Sequence, residues 1–476
     1  MAKYSKSNPT SEHTQHTNGS AKALYEDLIP PFSEYEAVAE ASRCLLCSKK
    51  ENDGYDVAPC VKGCPTKIDI PGFIAAINEG DKKKAADLVF AENILGATCG
   101  RVCPVDVLCE GACVLHDQGE KPIEIGRLQR FATEDLLEEG MQFRNAGKPN
   151  GKKVSVIGAG PAGLSCAAEL SEMGYEVTVY DKNKEPGGLV RHGIAPYRLH
   201  REPLSHEVRR IADMGVKFRL GEAIDSEEKL RAIENNSDAV FLGVGMKGVK
   251  MDNEGDPSFP GDQLEGVWDS MDFIHQIKTE GPVKIGDNVA IIGGGNTALD
   301  VGVQARRLGA KIVNILYRRD EASMPAYRHE IDLAREEGVN IQFLIKPLEF
   351  YGDENGRVNS MKIQYMKFDG YDNTGRPLPV PVEGTEMIIP VDTVIIAVGP
   401  RKREMFLDMI GDFFSGELSF RHGLIEVNKK SGQTTNPYYF AGGDAISGGS
   451  TVVEAVQDGK IAAKGIDEFI REKEEV

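Results

Sequence analysis

Eight of the nine cysteines lie in one stretch of the chain, between Cys44 and Cys113. Several of these thiols are separated by only two or three residues, which lets neighbouring thiolates reach one metal centre. A proline follows Cys64 and Cys103, as in bacterial ferredoxins, where the cysteine before proline often binds the other cluster. The pattern therefore favours two [4Fe–4S] clusters with four cysteine ligands each. The eight thiols are Cys44, Cys47, Cys60, Cys64, Cys99, Cys103, Cys109 and Cys113.

Two other uses of these thiols stay open. Two structural zinc sites would also take four thiolates each, but zinc sites usually contain C-x2-C pairs and only Cys44 and Cys47 form one. Disulfides are the third alternative, and they require an oxidising compartment. The ninth cysteine, Cys166, lies in an apolar helical stretch, which is typical of a small buried residue. No cysteine follows it, so the reactive cysteine pair of a disulfide reductase is missing from the predicted nucleotide domains.

A glycine-rich motif follows the apolar run from Val154 to Ile157. An Ala- and Leu-rich helix and a second strand that ends in Asp181 come next, which predicts a β-α-β unit with a dinucleotide fingerprint. The glycines permit the turn and the close approach of a pyrophosphate, while the helix N-terminus faces the phosphates. Asp181 is placed to accept hydrogen bonds from a ribose hydroxyl. The loop comprises Gly158, Ala159, Gly160, Pro161, Ala162 and Gly163.

A second fingerprint begins after Val289, and its next strand ends differently. Arg318 and Arg319 stand where the first unit has an acid. An acid would repel a 2′-phosphate, whereas guanidinium groups bind one bidentately. We therefore predict FAD at the first site and NADP(H) at the second, and two ordinary surface arginines are the alternative. The second loop contains Gly293, Gly295, Asn296, Thr297 and Ala298.

Composition restricts the possible partners. The net charge of −18 argues against a nucleic-acid groove, because the phosphates of the nucleic acid would be repelled. No apolar run reaches the roughly 18 residues of a membrane span, and the N-terminus has no signal-peptide h-region, so we expect a cytoplasmic protein. Residues 1–20 are almost entirely polar and are expected to form a disordered tail.

These patterns predict a multidomain α/β protein. We expect an α-helical iron–sulfur domain over residues 21–150, followed by two Rossmann-like domains. The NADP domain, residues 286–388, is predicted to be inserted in an FAD domain made of residues 151–285 and 389–476. The basis for the last boundary is the buried strand between Ile388 and Pro400, which has a glycine exit and is interpreted as the return to the FAD domain.

The cysteine motifs carry a family resemblance. The runs Cys60-x3-Cys64-Pro, Cys99-Gly-Arg-Val-Cys103-Pro and Pro122 to Thr133 resemble the N-terminal half of dihydropyrimidine dehydrogenase and, less closely, the small subunit of glutamate synthase. The resemblance implies that two clusters interleave and that Gln129 replaces Cys99, which spacing alone would choose. The implied ligands are Cys44, Cys47, Cys60 and Cys113 for one cluster, and Cys64, Cys103, Cys109 and Gln129 for the other.

The same resemblance extends the nucleotide sites. It implies that an FAD site includes the segment after Pro186. The Gly-Asp pair before the C-terminal helix is a pair that two-dinucleotide flavoproteins use to hold the flavin, and a turn aspartate that caps the helix is the alternative. A further phosphate-binding arginine of the family is absent, and only Arg328 lies near enough in sequence to replace it, so NADH use stays open. The additional cofactor-binding residues that we expect are Gly187, Gly188, Leu189, Arg198, Ile224, Ala397, Val398, Gly399, Gly443, Asp444 and Thr451.

Together these sites predict an electron-transfer flavoprotein. Nicotinamide gives up two electrons as hydride, flavin can release them singly, and [4Fe–4S] clusters carry one each. Hydride transfer to flavin needs alignment rather than an acid or base, so no catalytic side chain is assigned. The resemblance implies a separate FMN-containing subunit that reduces uracil or thymine. The alternatives are a glutamate synthase small subunit, which serves a glutamate-forming large subunit, and a non-enzymatic scaffold without redox function.

Overall fold

The computed structural model describes residues 25–27, 29–49, 54–245, 259–372, 375–398 and 418–474. The predicted tail over residues 1–20 lies outside them. The chain forms two compact units. The larger unit comprises Ile29–Ile194, Arg198–Val249 and Pro400–Val476, and the smaller unit comprises Met1–Leu28, Ala195–Tyr197 and Lys250–Gly399. No helix within the described ranges is both long enough and apolar enough to cross a membrane.

The larger unit begins with a helical region. Ser33 starts the first helix through a capping box with Glu36, and Asp69 and Asp81 accept backbone hydrogen bonds at the starts of two others. One face of each longer helix is apolar and contributes to a common core, which five of the cysteines join. The helices are α1 Glu34–Ser42, α2 Pro59–Gly63, α3 Ile70–Asn78, α4 Lys82–Glu92, α5 Gly96–Val102 and α6 Ile125–Glu138, with short 3-10 helices at Val105–Val107 and Val114–Gln118.

A five-stranded parallel sheet completes the larger unit. Its strands are β1 Lys153–Ile157, β2 Glu176–Asp181, β3 Lys217–Leu220, β4 Ala239–Leu242 and β16 Tyr439–Ala441. They pair in the order β16-β4-β1-β2-β3. Its helices are α7 Pro161–Glu172, α8 Gly188–His192, α9 Arg201–Asp213, α10 Glu227–Glu234, α14 Asp444–Ser447 and α15 Val452–Glu474, and a small hairpin pairs β14 Phe420–Arg421 with β15 Leu424–Ile425. The predicted β-α-β unit is β1, α7 and β2.

The C-terminal helix α15 packs closely against α7. A Cβ atom at Gly459 would lie 2.3 Å from the carbonyl oxygen of Ala162, so the two backbones meet where only glycine fits. The Ser165 hydroxyl donates to the carbonyl of Val456 at 2.8 Å. Helix α7, which follows the first fingerprint, is thereby held between the parallel sheet and helix α15.

The smaller unit contains a second five-stranded parallel sheet. Its strands are β5 Val267–Asp269, β6 Asn288–Ile292, β7 Ile312–Tyr317, β8 Asn340–Phe343 and β13 Thr393–Ile396, and they pair in the order β5-β13-β6-β7-β8. Between β8 and β13 the chain forms an antiparallel sheet. Its strands are β9 Ile345–Gly352, β10 Val358–Tyr371, β11 Pro377–Pro381 and β12 Met387–Pro390. The helices are α11 Ser270–Glu280, α12 Asn296–Arg307, α13 Arg328–Glu336 and the 3-10 helix Glu321–Ser323.

The predicted domain boundaries around the second sheet are wrong. We predicted that the FAD domain resumes at residue 389, but β13 pairs with β5 and β6 and so belongs to the second sheet. Strand β5 and helix α11, which precede residue 286, belong to the same unit. A fully buried strand has the same apolar composition in either sheet, so its sequence does not reveal which neighbours it pairs with.

Candidate nucleotide and iron–sulfur sites

The loop after β1 has the backbone of a dinucleotide-binding turn. Gly158 has φ of +107°, and its N–H donates to the carbonyl of Tyr180 at 2.8 Å. A Cβ atom there would lie 2.2 Å from the carbonyl oxygen of Gly243, and one at Gly163 would lie 1.9 Å from that of Gly158. Both glycines are therefore required by the turn and by the packing of α7 on the sheet.

The N-terminus of α7 is open to a ligand. Gly160 is its N-cap residue, Pro161 is the first helical residue, and no side chain caps the helix. A Cβ atom at Gly160 would meet no atom within 4 Å, in contrast to those at Gly158 and Gly163. The first N–H groups of a helix lack intrahelical partners and favour an anion. The residues present therefore fit the pyrophosphate of FAD.

Two distant segments of the chain adjoin this open end. The Gly187 N–H donates to the carbonyl of Ala159 at 2.7 Å. A Cβ atom at Gly188 would lie 3.0 Å from the Cα of Gly160, and one at Gly443 would lie 3.1 Å from the Cβ of Ala162. The predicted FAD residues near 187 and 443 therefore converge on the first fingerprint.

Asp181 lies at the end of β2, as the fingerprint predicts, and is buried. Its Oδ2 accepts the N–H of Ala159 at 2.8 Å, and its Oδ1 accepts that of Asn183 at 2.7 Å. A carboxylate can accept about four hydrogen bonds, so acceptor positions are left for a ribose hydroxyl. The same side chain thus holds the glycine loop in place.

The remaining predicted residues of the larger unit have different surroundings. Burial raises the pKa of Asp444, whose Oδ1 accepts the N–H of Ser450 at 3.2 Å. The Thr451 hydroxyl exchanges hydrogen bonds with Glu454 at the start of α15, in a helix-capping arrangement. Arg198 and Ile224 are half-buried, with Ile224 packed against the core, and Leu189 is exposed.

The loop after β6 repeats the first geometry within the smaller unit. Gly293 has φ of +142°, and a Cβ atom there would lie 2.3 Å from the carbonyl oxygen of Ala397. Gly295 is the N-cap residue of α12, no side chain caps that helix, and a Cβ atom at Gly295 would meet nothing within 4 Å. This loop therefore also fits a pyrophosphate.

Neighbouring residues support the second loop. The Asn296 Oδ1 accepts the N–H of Tyr327 at 3.0 Å, and Ala298 is buried against the sheet. Thr297 is half-buried in the first turn of α12. Ala397 and the exposed Val398 follow β13 and lie beside Gly293, whereas Gly399 lies outside the described residues.

The two arginines after β7 differ in environment. Arg319 is buried, and its guanidinium donates to Asp372 Oδ2 at 3.1 Å and to the carbonyl of Pro377 at 3.2 Å. Arg318 is exposed. Desolvation is the largest cause of a lowered pKa at Arg318, followed by the positive charge of Arg319. Arg318 is therefore the one of the pair whose side chain can reach a ligand.

Four thiols surround a cavity in the helical region. The cavity, of about 380 Å³ including space open to solvent, is lined by Cys44, Cys47, Cys60 and Cys113 and by apolar residues such as Ile74. Burial and the neighbouring thiols raise the pKa of Cys60 to about 12. These four are the residues that the resemblance assigns to one cluster.

The backbone around Cys47 is conformationally unusual. Leu46 and Ser48 have positive φ values of 53° and 66°. The Leu46 N–H donates to the sulfur of Cys44 at 3.5 Å. Left-handed conformations of residues other than glycine are uncommon and often occur at functional sites. Both neighbours of Cys47 in the chain have this conformation.

The other thiols form a second group. The hydrogen bond to Cys99, then burial and the nearby Cys109 and Cys64, raise the pKa of Cys103. The Gln129 side chain is buried on α6 and its Nε2 donates to the carbonyl of Gly96 at 2.6 Å. Both candidates for the eighth ligand are therefore close to helix α5, since Cys99 belongs to it and the Gln129 side chain contacts its first residue.

Within the described residues, no group of three or more His, Cys, Asp or Glu side chains is arranged to hold a single metal ion. A [4Fe–4S] cluster binds its ligands differently, because each of four irons takes one of them. Thiols around a cavity, rather than around one point, fit such a cluster.

Sequence reasoning missed Glu207, a fully buried carboxyl on α9. Its Oε1 accepts the N–H groups of Ala97 and Thr98 at 2.8 and 3.1 Å, and the Thr98 hydroxyl lies 2.5 Å from its Oε2. Burial raises the pKa of Glu207 to about 8. It caps α5, the helix that carries Cys99. Its position beside Leu204 and Val208 on the buried face of α9 was the available signal.

The fold and these sites define a class, the oxidoreductases that combine flavin, a nicotinamide dinucleotide and iron–sulfur chemistry. Residues 21–141 match the family model for dihydropyrimidine dehydrogenase domain II, 4Fe-4S cluster. Residues 152–459 match the model for pyridine nucleotide-disulphide oxidoreductase. The chain therefore belongs to the pyridine nucleotide-disulphide oxidoreductase family, in the branch that carries an N-terminal 4Fe-4S domain.

Curated relatives cover nearly the whole chain. The glutamate synthase (NADPH) small chain of Escherichia coli is 36% identical over 463 residues, which are 94% of each chain. The NAD-dependent dihydropyrimidine dehydrogenase subunit PreT of Salmonella typhimurium is 33% identical over 448 residues, 94% of this chain and 97% of that one. The predicted family and class of enzyme, an NAD(P)H-dependent flavin and iron–sulfur oxidoreductase, are confirmed.

A solved structure has a similar fold. Mycobacterium tuberculosis FprA in complex with NADPH aligns with a TM-score of 0.55 at 19% identity and covers 69% of this chain and 86% of FprA. This similarity, with the two parallel sheets, confirms the predicted α/β fold class.

Proposed function

We propose that this chain is the electron-input subunit of a larger enzyme, in which it oxidises NADPH and supplies a separate catalytic subunit. The main observation behind this proposal is that the larger unit contains candidate sites for both a flavin and iron–sulfur clusters. It brings together an open dinucleotide loop and two groups of thiols. When bound, FAD accepts a hydride and [4Fe–4S] clusters carry single electrons.

Each cofactor has its own set of candidate residues. The loop from Gly158 to Gly163 would hold the pyrophosphate of FAD at the start of α7, with Asp181 on its ribose. Cys44, Cys47, Cys60 and Cys113 would bind one cluster. Cys64, Cys103, Cys109 and either Gln129 or Cys99 would bind the other.

The loop after β6 would hold the nicotinamide dinucleotide in the smaller unit. Arg318 supports NADPH as the coenzyme, because it is exposed at the end of β7, where a dinucleotide fold places the ribose 2′ position. A 2′-phosphate would compensate its positive charge. NADH would leave that charge without a ligand.

Two acceptor subunits are candidates. The first is an FMN-containing subunit that reduces uracil or thymine, supported by the Fe–S family model and by similarity to PreT. The second is a glutamate-forming large subunit, supported by similarity to the glutamate synthase small chain. The two similarities have comparable extent, and the two acceptors differ in the substrates on which coenzyme oxidation would depend.

The test is purification of the chain with its copurifying subunit, followed by assays of coenzyme oxidation. Uracil-dependent oxidation of NADPH supports the first candidate, and oxidation that depends on glutamine and 2-oxoglutarate supports the second. A colourless protein that contains zinc, without flavin or acid-labile sulfide, would contradict the proposed function.

A further inference from the structure

The end of β7 is joined to the antiparallel sheet by one aspartate. Asp372 follows β10, and its Oδ2 accepts a hydrogen bond from the Arg319 guanidinium at 3.1 Å. The Arg319 Nε also donates to the carbonyl of Pro377, the first residue of β11. Asp372 and Pro377, which follow β10 and begin β11, are therefore both held by Arg319 at the carboxyl end of β7.

The same aspartate fixes Arg376. Its Oδ1 accepts the N–H of Arg376 at 3.0 Å, while the Asp372 N–H donates to the carbonyl of Arg376 at 2.8 Å. Gly375 has φ of +78° and donates to the carbonyl of Asp372 at 3.0 Å. Asp372 thus connects Arg319 to the backbone of Arg376.

The side chains of Arg318 and Arg376 are both exposed. Arg376 is close enough that its charge, after desolvation and the charge of Arg319, contributes to the lowered pKa of Arg318. In the part of the chain that the structure describes, the guanidinium groups of Arg318 and Arg376 form no ion pair. Like charges repel each other, and an anion that binds to both guanidinium groups removes that repulsion.

The arginine that the sequence offered, Arg328, has a different environment. It forms ion pairs with Glu321 and with Asp332, the latter at 3.2 Å. Its charge is therefore already compensated by carboxylates of the same unit. Arg376, which lies 58 residues after Arg318 in the chain, replaces Arg328 as the second candidate for the phosphate.

We propose that Arg376 and Arg318 together bind the 2′-phosphate of NADPH, with Asp372 as the residue that positions Arg376. This inference rests on the proposed use of NADPH by the smaller unit. Two guanidinium groups give a phosphate several charge-assisted hydrogen bonds, whereas a ribose hydroxyl offers little to either.

The test is calorimetric binding of adenosine 2′,5′-bisphosphate and of adenosine 5′-monophosphate to the FAD-loaded full chain. The variants are Arg318→Ala, Arg376→Ala and Arg376→Lys, with Arg328→Ala as the matched control. We expect Arg376→Ala to weaken the bisphosphate by about tenfold and the monophosphate by less than about twofold. Arg376→Lys should retain part of the preference, and Arg328→Ala should leave both affinities within about twofold of wild type.

The outcomes separate this inference from the proposed function. If the wild type binds both ligands equally, the proposed NADPH use fails, and this inference fails with it. If the wild type and Arg318→Ala behave as expected but Arg376→Ala retains the full preference, only the role of Arg376 is refuted. Equal weakening of both ligands by Arg376→Ala would refute a 2′-phosphate contact as well.

Discussion

The two glycine loops of this protein have nearly the same backbone and differ in the residue that stands after the next strand. In each loop the first glycine has positive φ and no room for a Cβ atom, and a later glycine opens onto free space at a helix N-terminus. At the end of β2 stands Asp181, which accepts two backbone hydrogen bonds, and after β7 stands the exposed Arg318. The comparison teaches that the two loops have the same geometry, so that under the proposed function the choice between the two nucleotides lies in the residue at the strand end.

The largest effects are expected when a carboxylate is placed in each loop, which tests whether the two loops bind different dinucleotides. Gly160→Glu should fold, because its Cβ has free space, but should lose FAD affinity by more than about tenfold through repulsion of the pyrophosphate. Gly295→Glu should weaken the nicotinamide dinucleotide to the same extent and leave flavin content unchanged. Flavin absorbance and coenzyme titration measure both losses. If both variants lose the same ligand, the assignment of two separate sites is wrong.

The two groups of thiols can be compared by measuring how much iron remains when a residue of either group is replaced. Cys60→Ser should remove one cluster and lower iron and acid-labile sulfide by about half. We expect Gln129→Ala to disturb the other cluster and Cys99→Ser to leave the iron content unchanged. Elemental analysis of the purified variants measures the effect. Iron loss in Cys99→Ser, with full iron in Gln129→Ala, would assign the eighth ligand to the cysteine.

The arginine pair should separate coenzyme specificity from stability. Arg318→Ala should reduce kcat/KM for NADPH by about tenfold to a hundredfold and change that for NADH little, because one charge-assisted contact is lost. Arg319→Ala should mainly lower the free energy of unfolding, by about 3 kcal/mol, because it removes the buried ion pair between Arg319 and Asp372. Steady-state kinetics and urea unfolding are the measurements. An unchanged NADPH preference in Arg318→Ala would remove the arginine from the site.

Glu207 should give a smaller, pH-dependent effect on stability. Its pKa is about 8 in the folded chain and should be near 4.5 in the unfolded chain, so folding favours the protonated form. The stabilisation is complete below about pH 4.5 and is lost as pH rises through about 8. Glu207→Gln, which mimics the protonated acid, should flatten the decline in the free energy of unfolding over this range. An identical slope in wild type and variant would contradict the raised pKa.

Local features could be predicted from the sequence, because their signals lie within a few residues of one another. Gly158 to Gly163, with the strands on either side, specify a β-α-β turn by themselves. The grouping of Cys44, Cys47, Cys60 and Cys113 is not local in this sense, because it came from the family resemblance. The structure places these four residues around one cavity.

Features that depend on distant segments could not be predicted. Arg318 and Arg319 look equivalent in sequence, but Arg319 is buried against Asp372 and Pro377, more than fifty residues later, while Arg318 is exposed. The sheet to which β13 belongs is likewise decided by its pairing with β5 and β6. Glu207 gains its role only because α9 packs against the start of α5.

The most direct test of the central claim compares two rates in one sample of the chain with its natural acceptor subunit. In rapid-mixing experiments with Cys60→Ser, we expect NADPH to bleach the flavin at the wild-type rate. The rate of electron transfer to the acceptor should fall nearly to zero, because under the proposed function the electrons reach the acceptor through the clusters that the cysteines between Cys44 and Cys113 bind. Delivery at the wild-type rate by the iron-depleted variant would contradict the account.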